Sequence, residues 1–306
     1  MIHNTCFFKM DRRTFIKTSS GAIFLFSCAP FWSCNSTLPV RFGLVTDIHF
    51  ADRMHRGTRY YSQSKQKLLD AIHVFNKSNL DFIIQLGDYK DQDEQPEKTT
   101  TLAFLDDIES VMRQFNGPIY HVLGNHDMDS ISKQDFLAHT KNYGTAEGKS
   151  YYSFLFKNLK FIVLDANFNE DGSDYDTGNF DWTSSHIPDS QIEWLSSELS
   201  KGNEPVIVFV HQLLDWFSGI NESLYVRNAE QIVEVLEKSA RVLAVFQGHH
   251  HSGNYSYRNK IHYLTMKALV EGSLPDNNSF ATVEIDSRLN IHVNGFYNCD
   301  DHFLKL

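Results

Sequence analysis

Five short apolar runs in this chain each end in a residue that can bind a cation or carry a proton. "VRFGLVTD" ends at Asp47, with His49 two residues on. "DFIIQLGD" ends at Asp88. "GPIYHVLGNHD" delivers Asn125, His126 and Asp127. "PVIVFVH" ends at His211, and "RVLAVFQGHHH" ends at His249, His250 and His251. Each run has the length and composition of a buried strand. Between the first three lie helical periodicities: residues 62–76, with Leu68, Leu69, Ile72 and Phe75, and a second stretch carrying Leu102, Leu105, Ile108, Val111 and Met112. Strand, helix, strand, helix, strand predicts a layered α/β fold with parallel pairing. In open sheets of that kind, ligands bind beyond the carboxyl ends of the strands. A single "LGD" or "GNHD" can be ordinary turn chemistry, and a lone His after a strand is more often structural. Five such groups at equivalent strand ends are the informative signal.

The rest of the chain fits the same layout. "YYSFLFKNLKFIVLD" reads as a hairpin turning at Lys157-Asn158. Residues 167–187 are polar and Gly-containing, a long loop expected to form a functional rim. A capped helix is expected from Asp189 or Ser190, another over 229–238, and three strands in "KIHYLTMKAL", "SFATVEID" and "LNIHVNGF". No repeat or linker interrupts residues 40–306, which are read as one domain.

Charge and cysteine content narrow the chemistry. The formal net charge is −10, and no basic stripe is present, so a nucleic-acid partner is not expected. A small phosphorylated substrate remains compatible, because a bound cation can invert the local field. Of the four cysteines only Cys299 lies in the body of the chain, so a disulfide framework and a thiolate zinc site are both excluded. Any metal must be held by His, Asp, Asn or Glu. Such a mixed N/O set suits Mn, Fe or Zn. Seven candidates exceed what one ion needs. They suit two divalent ions about 3.5–4 Å apart with a bridging carboxylate.

"DIH" at 47–49, "GD" at 87–88, "GNHD" at 124–127, "H" at 211 and "GHHH" at 248–251 resemble the calcineurin-like metallophosphoesterases. The blocks occur in family order and the resemblance covers residues 40–306. It implies a four-layer α/β/β/α sandwich with a dimetal site at one end of the two sheets. It implies Asp47, His49 and His251 on the first metal, Asn125, His211 and His249 on the second, and Asp88 bridging. His126 would face the leaving group, with Asp127 orienting it. "RFGLVTDIHFAD", "TRYYSQS", "DFIIQLGD", "YHVLGNHD" and "HYLTMKALVEGSLPDNNSFATVEI" look like the manganese-dependent ADP-ribose/CDP-alcohol diphosphatases within that family. His49 departs from that group, many of whose members carry Gln there. The purple acid phosphatases, which need Tyr three residues after the bridging Asp, are set aside because residue 91 is Asp.

The implied reaction is hydrolysis at phosphorus by a hydroxide held between the two ions, with His126 supplying a proton or hydrogen bond to the departing oxygen. Arg53, Arg59, Tyr60 and Tyr61 are candidates for the substrate pocket, or else a solvated loop with packed aromatics. In an extended segment residues i and i+2 share a side. His249 and His251 are therefore expected to serve one ion each, with His250 facing away. The alternatives are a broad-specificity phosphomonoesterase or phosphodiesterase, or a surface lipoprotein that binds metal without catalysis. His126 and the bridging carboxylate speak against the last.

Residues 1–39 read as an export signal and tether. "DRRTFIK" resembles a twin-arginine signal, with Met10 as a plausible start, and "LFSC" resembles a lipobox ending at Cys28, with Cys34 the second candidate. The apolar stretch 21–32 is too short to span a bilayer. The expectation is an exported bacterial protein attached to the membrane by a lipid anchor; a cytosolic protein with an apolar N-terminus is the alternative.

Overall fold

The computed structural model describes residues 39–306. The export-signal and lipidation expectations, Cys28 and Cys34 included, lie outside the described residues. The first half runs β1 (Val40–Val45), α1 (Ser64–Lys77), β2 (Phe82–Gln85), α2 (Lys98–Met112), β3 (Ile119–His121) and α3 (Lys133–His139). A hairpin follows, β4 (Tyr152–Phe156) and β5 (Leu159–Val163), and then α4 (Asp189–Ser200), β6 (Val206–Phe209), α5 (Ala229–Ser239) and β7 (Val242–Gln247). The chain closes with β8 (Asn254–Arg258), β9 (Ile261–Thr265), β10 (Ser279–Ile285), β11 (Ile291–Tyr297) and β12 (His302–Leu304). Elements the sequence reading passed over are α3, β8 and β12. All three are short, and β8 and β12 are sheet edges with weak apolar patterning. No helix among the described residues is long and apolar enough to cross a membrane.

Two six-stranded sheets result, ordered β12-β11-β10-β1-β2-β3 and β4-β5-β6-β7-β9-β8. β1, β2 and β3 pair in parallel, as do β5, β6, β7 and β9. Antiparallel strands extend the margins, so each sheet is mixed rather than purely parallel. Alternation along the strands makes the layers. Phe42, Leu44, Phe82 and Ile84 point between the sheets, where they meet Phe161, Ile207, Phe209 and Phe246. Their neighbours Val45 and Ile83 face α1 and α2 instead. On the other sheet Ile162, Val208 and Val245 face α4 and α5. The outcome is the expected helix–sheet–sheet–helix sandwich. Its midline is aromatic: Phe42 stacks on Phe82 at 5.1 Å and meets Phe209 and Phe246 edge-on at 5.8 and 5.9 Å.

The strands that exit at one end turn sharply. Asp47, His49, Asp88 and His249 all hold positive φ, from 47° to 67°. Non-glycine residues seldom do so, and they concentrate where function demands a particular side-chain direction.

Candidate metal centre

The first cluster forms where β1 and β7 run out. Asp47 Oδ1 lies 3.3 Å from His251 Nε2 and 3.8 Å from His49 Nε2. The other carboxylate oxygen accepts hydrogen bonds from Thr46 Oγ1 and the His249 amide, which fix its direction. His49 Nε2 and His251 Nε2 are 3.2 Å apart. The second cluster lies beyond β2 and β6: His211 Nε2 is 3.2 Å from Asp88 Oδ2, and the His249 ring is 5.0 Å from that of His211. Asp88 Oδ2 also sits 3.5 Å from His49 Nε2, so this carboxylate is common to both clusters. Asn125, in the 3-10 turn Asn125–Met128, is buried beside them. Six of the seven expected residues therefore converge, and Asn125 sits in the turn whose next amide, that of His126, donates to Asp88 Oδ1 at 2.8 Å.

Whether the pocket fits cations is decided by its unpaired atoms. Asp47 Oδ1, Asn125 Oδ1, His211 Nε2 and His249 Nε2 are buried with no hydrogen-bond partner. Orphaned buried acceptors are rare and costly, and three of these four belong to the clustered Asp47, His211 and His249. The tautomer of His211 is set by its other nitrogen: Nδ1 lies 2.8 Å from the Leu86 carbonyl, which can only accept. Neutral His211 therefore turns a bare Nε2 lone pair inward. His49 Nδ1 meets Asp91 at 3.2 Å and His251 Nδ1 meets Glu271 at 2.6 Å. Carboxylates behind imidazoles orient them and raise their basicity toward a metal.

The electrostatics agree. Burial pushes the Asp47 carboxyl up, but the His251 and His49 imidazoles beside it outweigh that and hold the group well below the usual range. Burial acts the same way on Asp88, and the nearby His211 and His126 reverse it. His211 is pulled down by burial and then lifted to about 9 by Asp88. His249 is pushed down to about 3 by burial and by its neighbour His211, so its imidazole is neutral. Divalent ions compete with protons for the imidazole lone pairs. The residues fit two cations, one at Asp47, His49 and His251, the other at Asp88, His211 and His249.

Glycines make the convergence possible. A Cβ on Gly87, which holds φ +98°, would come within 2.6 Å of the His211 ring; one on Gly124 would meet the Asp88 carboxylate at 2.3 Å. This is why "GD" and "GNHD" carry glycine where they do.

Two expectations need correction. Asp127 does not orient His126. Its oxygens accept from the amides of Tyr89, Lys90 and Gly124, binding the 3-10 turn to the end of β2. The His126 Nδ1 instead meets Asp129 at 2.7 Å, with Asp91 at 3.8 Å. On a tight helical turn the residue three positions on shares a face with His126, whereas the next residue points away. Burial lowers His126, but Asp129, Asp91 and Asp88 together raise it to about 10. Its side chain is 30% exposed, so it reaches the mouth of the site. The second correction concerns "GHHH". The segment is a tight turn, not an extended strand: His249 has φ 67°, and the His250 amide donates to the Gly248 carbonyl at 2.7 Å. His249 and His251 still reach different clusters, through the turn rather than a pleat, and His250 joins neither.

Of the substrate-pocket candidates, Tyr61 is only 2% exposed and packs beneath Arg53, whose guanidinium lies 3.9 Å from its ring. It belongs to the core. Tyr60 stacks on His55 at 4.9 Å, and Arg59 Nε lies 3.9 Å from Glu271, so both border the first cluster from outside. Residues overlooked in the sequence are Asp91, Asp129 and Glu271. Asp129 was findable from its i+3 spacing to His126; Glu271 carries no local signal, because the fold brings it to His251.

The family model of the calcineurin-like phosphoesterases matches residues 40–253. The chain is 25% identical over 301 residues to a manganese-dependent ADP-ribose/CDP-alcohol diphosphatase of Arabidopsis thaliana, covering 82% of this chain and 92% of that protein. It is 26% identical over 293 residues to the protein of the same name from Oryza sativa subsp. japonica, covering 80% and 87%. Its fold matches the crystal structure of a dimetal phosphatase from Danio rerio with a TM-score of 0.76, at 20% identity, over 87% of this chain and 98% of that one. With the family match spanning most of the described residues, and both clusters lying within or beside it, the chain belongs to the calcineurin-like phosphoesterase family and is a metal-dependent phosphoester hydrolase.

Proposed function

We propose that the protein hydrolyses the diphosphate bond of nucleoside diphosphate-X compounds, of the ADP-ribose and CDP-alcohol class, with manganese as its metal. The observation that carries this reading is the shared Asp88: one carboxylate serves two imidazole clusters, with His126 partly exposed at their edge. Two divalent ions there would lower the pKa of water and neutralise charge on the phosphoryl oxygens. The names of the relatives support the substrate class and the metal.

The chain's own residues take the remaining roles. Asp47, His49 and His251 would hold one ion and Asn125, His211 and His249 the other, with Asp88 shared between them. His126, with Asp129 behind its Nδ1, turns Nε2 outward to hydrogen-bond or protonate the departing oxygen. Asp91 and Glu271 fix the rings of His49 and His251. Arg59 and Tyr60 flank the entrance on the Glu271 side.

The test is a substrate panel on manganese-loaded protein, comparing ADP-ribose and CDP-choline with a simple aryl phosphate. The expected result is a higher kcat/KM for the two diphosphates. Preference for the aryl phosphate would replace this reading with a broad-specificity phosphomonoesterase and leave the family intact.

A further inference from the structure

The loop 167–187 is fastened rather than free. Lys133 Nζ, from α3, binds Asp174 at 2.6 Å and the Asn167 carbonyl at 3.0 Å. Tyr175 is fully buried, stacks on Phe180 at 4.2 Å and donates to the Asp181 carbonyl at 3.1 Å. The amides of Thr177 and Gly178 donate to the carbonyls of Ile131 and Met128, stitching the loop to the turn that carries His126. Asp181 then caps the 3-10 turn Trp182–Ser184 through the Thr183 amide at 2.9 Å.

What this fixed loop presents is an indole. Trp182 is 45% exposed, and its ring lies 5.9 Å from that of His249, tilted by 69°. His249 is its only aromatic neighbour among the described residues, and none of them accepts a hydrogen bond from its Nε1. Exposed aromatics elsewhere, such as Tyr255, Tyr257 and Phe303, lie on the edge strands β8 and β12. Among the described residues Trp182 alone of the exposed tryptophans touches a candidate ligand. The other rim aromatic, Tyr60, is already stacked on His55.

We propose that Trp182 is the stacking surface for the planar ring of the substrate, a nucleobase, held beside the His249 cluster. The inference rests on the nucleotide reading above. A π-surface suits it because every base has a face to offer, so adenine and cytosine would both be accepted. A pre-ordered loop adds affinity because little remains to be immobilised on binding.

The experiment measures binding of AMP and of ribose 5-phosphate, which lacks the base, to manganese-loaded wild-type protein, Trp182→Ala and Trp182→Phe. Metal content is determined for each. We expect Trp182→Ala to weaken AMP about tenfold or more and Trp182→Phe to retain most of the affinity. Ribose 5-phosphate should bind all three alike, with unchanged metal content. Equal AMP affinity in Trp182→Ala overturns the proposal. So does parallel loss of AMP, ribose 5-phosphate and metal, which would make Trp182 a cover over His249. If the wild type cleaves neither ADP-ribose nor CDP-choline while AMP affinity still depends on Trp182, the diphosphatase reading falls and the base platform stands.

Discussion

His49 Nε2 and His251 Nε2 face each other at 3.2 Å, while the far nitrogen of each ring rests against a carboxylate, Asp91 and Glu271 respectively. If each Nδ1 donates to its carboxylate, both Nε2 atoms are bare lone pairs, and only a shared cation or proton relieves them. Glu271 is itself held in place. The buried Lys67 ammonium lies 2.6 to 3.2 Å from four successive carbonyls, those of Leu269, Val270, Glu271 and Gly272, and shares its three N–H donors among them. Glu271→Gln should therefore keep the fold, by circular dichroism, and lower metal affinity about 10- to 100-fold in equilibrium dialysis. Wild-type affinity in that variant would remove Glu271 from the metal centre.

The triple histidine makes a sharper demand. The turn at 249–251 sends His249 toward Asp88 and His211, and His251 toward Asp47 and His49. His250→Ala should bind two ions per chain, as the wild type does. His249→Ala and His251→Ala should each bind one fewer, or bind one far more weakly, by elemental analysis after dialysis. Loss of an ion in His250→Ala would contradict the assignment.

The reading of residues 1–39 as an export signal predicts a lipid on Cys28. Cells expressing the full chain and fed a radiolabelled fatty acid should yield labelled protein in the membrane fraction, and Cys28→Ser should abolish the label. Label that persists in Cys28→Ser and vanishes in Cys34→Ser would move the anchor. Label in neither wild type nor variant would reject it.

The sequence made the ends of the parallel strands legible because burial on both faces leaves continuous apolar runs, and the residue that stops each run is the one the sheet presents. That logic reached the six imidazoles and carboxylates that gather in the two clusters and the layered α/β class; the order of the four layers came from the family resemblance. It did not reach contacts made across the fold. Glu271 is 20 residues from His251 and Asp91 is 42 from His49, and no periodicity links them. It also misjudged direction where the backbone leaves regular geometry. The "GHHH" turn and the 3-10 turn at Asn125–Met128 obey neither the strand period nor extended spacing, so which neighbour faces which was decided by φ at His249 and by the amides that Asp127 accepts. Tyr61 stayed open between two readings for a related reason: an aromatic beside a functional loop has the same sequence signature whether it lines a pocket or packs beneath one, and burial decides for packing.

Asp127 and Asp129 separate two kinds of contribution. Asp127 satisfies three backbone amides, at Tyr89, Lys90 and Gly124, in a fully buried position. Burial, and then the charge of Asp88, push its carboxyl up to about 6, so it is retained against an electrostatic cost. Asp127→Ala leaves those donors unpaired, and about 1–3 kcal/mol of stability should go with them, seen as a lower Tm in metal-free and metal-loaded protein alike. The Asp129 carboxylate touches the His126 ring and accepts from no backbone amide of that turn; only the Asp129 amide, which a side-chain change leaves in place, closes the turn onto the His126 carbonyl. Asp129→Asn should leave Tm and metal content near wild type while lowering kcat by about 10- to 100-fold, a fraction of what a positioned acid contributes, with KM little changed. Because Asp129 acts through His126, adding Asp129→Asn to a His126→Ala variant should cost almost nothing further in kcat. Full additivity in that double variant would show that Asp129 works by some route other than His126.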